Sequence, residues 1–137
     1  MSARKGQAAL EYMMVISLVL LFIIPVWAYM STVNQEATNE INYAYGKNAA
    51  RKVIDAAELV YSQGPPASVE INVYIPRYVQ WVNVTNETIS FRMNAGYETD
   101  VFGISTVPLN GTMPIVEGNY FIKVESKGAY VQIDPVY

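Results

Sequence analysis

The sequence predicts an α+β chain in which one long N-terminal helix is laid on a small antiparallel β-sheet head. Three observations carry this reading. An uncharged, mostly apolar run extends from Tyr12 to Val33. Apolar residues at three- and four-residue steps then carry the helical period toward Gln63. After Gly64-Pro65-Pro66 the pattern changes to two-residue alternation, the period of a strand with one buried face. Neither layer can bury its apolar side alone, so each is expected to cover the other.

The first element is the apolar run. From Tyr12 to Val33 there are 22 residues, about 33 Å of helix, enough to cross a bilayer. Arg4 and Lys5 precede it, whereas Glu36 and Glu40 follow it. The positive-inside tendency therefore places residues 1–6 in the cytoplasm and the remainder outside. The run continues into Trp27, Tyr29 and Met30 instead of ending at the small-residue cleavage site of a secretory peptide, so the segment is expected to be retained. Pro25 lies inside it, removing one amide donor and pressing on the preceding turn, and a local kink or stretch is expected there. Ser17 is too far away to satisfy the freed carbonyl.

Beyond the run, Val33, Ala37, Ile41, Ala44 or Tyr45, Ala49, Val53, Ala56 and Val60 form an amphipathic stripe. Gly64-Pro65-Pro66 ends it. A helix from Leu10 to Gln63 would be about 80 Å long. The sheet starts with Val69, Ile71, Val73 and Ile75, alternating with Glu70, Asn72 and Tyr74 and closed by Pro76. Tyr78–Val84 and Thr88–Met93 are the next candidate strands, with Asn83–Glu87 as a polar turn. The stretch from Val101 to Val107 is weaker, because Gly103 and Pro108 interrupt it. Tyr120, Ile122 and Val124, then Val131 and Ile133, flank Glu125-Ser126-Lys127-Gly128 and read as a C-terminal hairpin. The expected head is a single antiparallel sheet of four to six strands. In domain terms, 1–6 is a basic leader, 7–33 a membrane or core helix, and 34–137 an exterior head, made of a helix continuation at 34–63 and a sheet at 68–137.

Composition narrows the chemistry. The 137 residues include no histidine and no cysteine, so an imidazole base, a thiol nucleophile, a thiolate zinc site and disulfide stapling are all excluded. The formal charge is −3. Loss of Arg4 and Lys5 with the leader would leave seven basic and twelve acidic side chains, a balance that does not favour nucleic acid. Glu98 with Asp100, and Glu36 with Glu40, share faces and are expected to be solvated charge. Gly103, Gly111 and Gly118 form no phosphate-binding motif. No catalytic residues, metal ligands or cofactor are expected.

The leader carries the most specific pattern. Lys5-Gly6-Gln7-Ala8-Ala9-Leu10-Glu11-Tyr12, followed at once by an apolar helix, resembles the class III signal peptide of archaeal type IV pilins and related surface-filament subunits. Gln7, Glu11 and Tyr12 match that pattern, while Ala9 stands where serine is usual and Val15 where leucine is usual. The resemblance covers roughly the first 30 residues and the overall layout, and the head adds no motif of its own. It implies a type IV pilin-like fold and cleavage by a prepilin peptidase between Gly6 and Gln7. It also implies a membrane-held precursor among lipids, an assembly ATPase with a membrane platform protein, and growth into a helical homopolymer of the adhesion type on the cell surface. The surface ligand is unspecified.

Cleavage would expose an ammonium on Gln7, four residues before Glu11. An unpaired charge in an apolar array costs far more than a paired one, so the Glu11 carboxylate of one chain would pair with the terminal ammonium of its neighbour. Water at the headgroup interface is the competing environment for Glu11. Candidate N-glycosylation sites are Asn83, Asn86 and Asn110, each in an Asn-X-Thr sequon. Among eleven tyrosines, Tyr43, Tyr45 and Tyr61 are expected to pack on the sheet, and Tyr74, Tyr97, Tyr130 and Tyr137 to be exposed. Two further readings share the leader: a minor pilin-like binding module anchored in the membrane, and an archaellin-like subunit of a motility filament.

Overall fold

The computed structural model describes residues 2–136, with side chains from Gly6 onward. The side chains of Arg4 and Lys5, and Tyr137, lie outside the described residues. Helix α1 spans Ser2–Gln63. Seven strands follow: β1 Ser68–Ile75, β2 Val79–Thr85, β3 Thr88–Asn94, β4 Glu98–Ile104, β5 Leu109–Gly111, β6 Gly118–Ser126 and β7 Val131–Val136. The chain divides into two units, residues 1–38 and residues 39–137.

The second unit contains the head. Its strands form two sheets, β1-β6-β7-β5 and β2-β3-β4, where the sequence pattern suggested one. All pairings are antiparallel except β5 with β7, where Leu109 to Gly111 lie parallel to Val131 to Ile133. A backbone bond at the β2–β3 turn ties the two sheets, Asn86 O accepting from Leu109 N of β5 at 2.7 Å, while Glu87 O accepts from Ser105 N at 2.7 Å just beyond the β3–β4 pairing. The predicted strands around 69–75, 78–84 and 88–93 and the C-terminal hairpin are all present. The interrupted stretch near Val101 is a full strand, β4.

The core lies between the inner faces of the sheets and the outer half of α1. From the helix come Ala49, Ala50, Val53, Ile54, Ala57 and Val60; from the strands Val73, Ile75, Ile89, Phe91, Met93, Ile122, Val124, Val131 and Ile133. Each large side chain here contributes roughly 1.5–3 kcal/mol by leaving water. Ala49, Val53, Ala56 and Val60 of the predicted stripe are buried. Val33, Ala37, Ile41, Ala44 and Tyr45 are exposed instead, because the buried face begins at Asn42 and Gly46, one position round the helix from Ile41 and Tyr45.

Each sheet has two edge strands, β1 and β5 in the first and β2 and β4 in the second, and α1 serves β1 and the β4 side. Lys52 Nζ donates to Asn72 O of β1 at 2.6 Å, and the Tyr45 ring meets that of Tyr74 edge-on, centroids 5.3 Å apart. On the other side, Tyr43 Oη donates to Tyr97 O at 2.9 Å, and Glu58 Oε1 accepts from Thr106 N and Oγ1 at 3.1 and 2.7 Å. Gly103 is what admits the helix to β4. A Cβ at this position would lie 2.6 Å from Ile54 Cδ1 and 3.2 Å from Ala50 Cβ, so the residue that seemed to break the strand is the contact point between strand and helix.

These elements make an α+β fold with one long N-terminal helix packed on a small, mainly antiparallel sheet head, which matches the type IV pilin-like architecture. Two substitutions probe the packing. Phe91→Ala removes a side chain with no exposed surface and is expected to destabilise the head by about 3–5 kcal/mol. Gly103→Val forces the helix away from β4 and is expected to cost about 1–3 kcal/mol. Urea unfolding of the detergent-solubilised chain, followed by circular dichroism, measures both.

Candidate assembly segment and head surface

In the first unit, every large apolar side chain of Leu10–Met30 is solvent-exposed, from 38% at Ile16 to 71% at Trp27. An eighteen-residue window of this helix has a mean hydropathy of 2.4, and none of it is buried. By length and composition it can cross a membrane. Water is a poor environment for such a surface, at roughly 25 cal/mol per Å² of apolar area.

Gln7 and Glu11 stand one helical turn apart, and Gln7 Nε2 donates to Glu11 Oε1 at 3.3 Å. The four-residue spacing read from the sequence thus brings these two side chains together on one face. Gly6 and Tyr12 are both exposed, Tyr12 by 69%. The helix runs on through Pro25 without a break in its assignment. Ser17 Oγ donates to Met13 O at 2.8 Å; it therefore serves its own preceding turn and not the Leu21 carbonyl, which lacks its usual donor because residue 25 is proline. Thr32 Oγ1 makes the same kind of bond to Ala28 O at 3.2 Å, which keeps hydroxyls in an apolar helix satisfied.

On the head, all three sequon asparagines are exposed. Asn83 projects from the outer face of β2, and Asn86 occupies the β2–β3 turn. Asn110 lies in β5. Asn86 and Asn110 border one shallow depression with Pro108 and Tyr130. Tyr43 and Tyr45 pack on the sheet side as expected, Tyr45 while keeping 47% exposure, and Tyr97 and Tyr130 are exposed; Tyr74, expected to be exposed, is half-buried, its hydroxyl donating to Glu117 Oε1 at 3.1 Å.

The outer face of β2-β3-β4 carries a cross-strand ladder. Trp81 pairs with Arg92, and Arg92 with Asp100. The guanidinium lies 4.9 Å from the Trp81 ring centroid and binds Asp100 through Nε and Nη2 at 2.7 and 2.8 Å. Asp100 is therefore engaged rather than merely solvated, and its hydrogen bonds to Arg92 hold its carboxyl below the usual range. Glu58 is lowered in the same direction by its bonds to Thr106, and Glu125 by Lys127 and Lys123.

Sequence reasoning did not pick out a groove in the head. It has a volume of about 450 Å³ and runs between α1 and β4, with Lys47 and Arg51 on one wall and Phe102 and Ile104 on the other. Only the four-residue spacing of Lys47 and Arg51 was visible beforehand, and that spacing alone suits any solvated helix face.

Comparison of the chain with protein-family models, with characterised proteins and with solved structures yields no match.

The three lowered carboxylates set the pH response of the head. A depressed folded-state pKa stabilises the fold above the unfolded-state value and is lost as pH falls through the folded one. With no histidine in the chain, the urea midpoint is expected to stay level from about pH 8 to 6 and to drop below about pH 4, the ordinary carboxylate range. A pH series of denaturant titrations checks this. A midpoint that rises on acidification would contradict the assignment.

Proposed function

We propose that this chain is the structural subunit of an archaeal type IV surface pilus of the adhesion type, polymerised through its N-terminal helix. The observation that carries the reading is the uncovered apolar surface of Leu10–Met30, preceded by a short basic leader and bearing one acid, Glu11, near its start. A membrane would shield that surface in the precursor, and bundled copies of the same helix would shield it in the filament. A contact that repeats between different faces without closing gives a helical array rather than a ring.

In this reading a prepilin peptidase cuts between Gly6 and Gln7, and the new Gln7 ammonium of one subunit pairs with the Glu11 carboxylate of another. The Gln7–Glu11 hydrogen bond supports it to this extent: the two residues already share a helix face. An assembly ATPase and a membrane platform protein would lift the subunit from the bilayer. The exposed asparagines 83, 86 and 110 would carry glycans on the outside of the fibre. No catalytic role is assigned to the chain.

Material sheared from cells tests the processing step. Mass spectrometry is expected to find Gln7 as the first residue, with added mass on peptides containing Asn83, Asn86 or Asn110; assembled surface protein that keeps Met1 would defeat the cleavage claim. Pairing is tested separately by Glu11→Gln, which is expected to insert in the membrane normally while fibre yield falls steeply. Fibres of ordinary length and number from that variant would rule out the charge pair and leave the filament assignment standing.

A further inference from the structure

Phe102 and Ile104 project from the outer face of β4, 58% and 70% exposed. A large apolar side chain in water is unfavourable, and two in succession on one strand form a patch. The strand register sets a sequon asparagine on the same face. Asn83 of β2 stands opposite Ser90 of β3, and Ser90 opposite Phe102. With neighbouring strands about 4.8 Å apart, Asn83 and Phe102 are separated by roughly 10 Å, across only the small side chain of Ser90.

The next row of the face has a different chemistry. Trp81, two residues before Asn83 and on the same side of β2, is paired with Arg92, and Arg92 with Asp100. Arg92 binds Asp100 through Nε and Nη2, which leaves further N–H groups of the guanidinium for another acceptor. An aromatic ring and a row of planar polar groups on either side of a small residue suit a saccharide. The C–H face of a sugar ring covers an aromatic ring as other apolar surface does, and its hydroxyls can both accept from Arg92 and donate to Asp100. A purely apolar occupant would desolvate that row without replacing its hydrogen bonds to water.

Resting on the reading that the sequon asparagines carry glycans, we propose that the saccharide on Asn83 lies back on the β2-β3-β4 face, its first sugars crossing Ser90 to cover Phe102, with Trp81 and Arg92 along one side. The covalent link is what singles out this occupant. A saccharide attached within the face meets it at the high effective concentration of an intramolecular contact, so interactions too weak to hold a free sugar suffice. The glycan is then a structural part of the head. It shields the apolar side of β4, an edge strand, from association with other chains.

The full-length chain from its native host, dissolved in detergent, tests the docking. The chain has two tryptophans, Trp27 and Trp81, so Trp27→Phe leaves Trp81 as the sole reporter. Acrylamide is expected to quench Trp81 more strongly once Asn83→Gln removes the glycan. In a double-mutant cycle, Asn83→Gln is expected to lower the urea midpoint of the unaltered chain but not that of Phe102→Ser, because the sugar's apolar partner is already gone. Equal quenching with and without Asn83→Gln, or an equal midpoint shift in both backgrounds, on a chain whose Asn83 peptide carries added mass, would overturn the docking and leave the glycan reading standing. An Asn83 peptide of unmodified mass would defeat the glycan reading at this site and the docking with it. Shielding of Trp81 that persists in Asn83→Gln fibres and vanishes in dissolved subunits would assign the face to a second copy, which also overturns the proposal.

Discussion

An apolar helical surface with nothing of its own chain to cover it is the constraint on which the rest of this protein depends. From Leu10 to Met30 the side chains are exposed, and the hydrophobic effect gives such a surface no stable residence in water. A buried core helix would show the same composition but would be covered. Here the covering must come from outside the chain, and two media can supply it: lipid, or other copies of the helix. Both are apolar and both leave backbone hydrogen bonding internal to the helix, so transfer from one to the other does not require the segment to refold.

The outer part of α1 obeys the opposite rule. Asn42 and Gly46 open a buried face that continues through Ala50, Val53, Ala57 and Val60, and the head closes around it. β1 and β4 are edge strands of the two sheets, and a free strand edge invites pairing with other chains. The helix limits that hazard through Lys52 on the β1 side and Tyr43 and Glu58 on the β4 side. The same element is therefore a core helix in one half and an uncovered surface in the other, and the change in its surroundings coincides with the polar residues Asn34–Glu40.

Periodicity revealed most of this because the patterns are local. The helix end at Gly64, the alternation in β1, β3, β6 and β7, and the buried positions Ala49, Val53 and Val60 are properties of a few neighbouring residues. What was not legible depends on partners distant in sequence. Ile41 and Tyr45 fit a helical stripe as well as Asn42 and Gly46 do, and only the tertiary contact decides which face is covered. Gly103 looked like an interruption because its role is to leave room for Ile54 and Ala50. The three-residue β5 is too short to show a period, and neither its parallel pairing with β7 nor the division of the head into two sheets can be foreseen from any single-strand pattern. Of the assembly segment, the Gln7–Glu11 spacing was plain in the sequence, while the groove beside Lys47 was not, since it needs β4 to form its second wall.

Affinity and register are separate problems for a polymer built from such a chain, and they fall to different residues. A uniformly apolar rod gains nearly the same free energy at many axial offsets, because burial is non-directional and scales with area. Exposed ion pairs, by contrast, contribute only about 0–1 kcal/mol each, too little to hold a filament together. Their value is that a wrong offset leaves like charges facing or a carboxylate buried without a partner, and either outcome is costly. Glu11 is the one acid set within the apolar segment of α1. Under the filament reading, an offset that left Glu11 buried without a cation would be rejected, so one charge of small individual worth would fix a repeat that the apolar surface alone would leave free to slide.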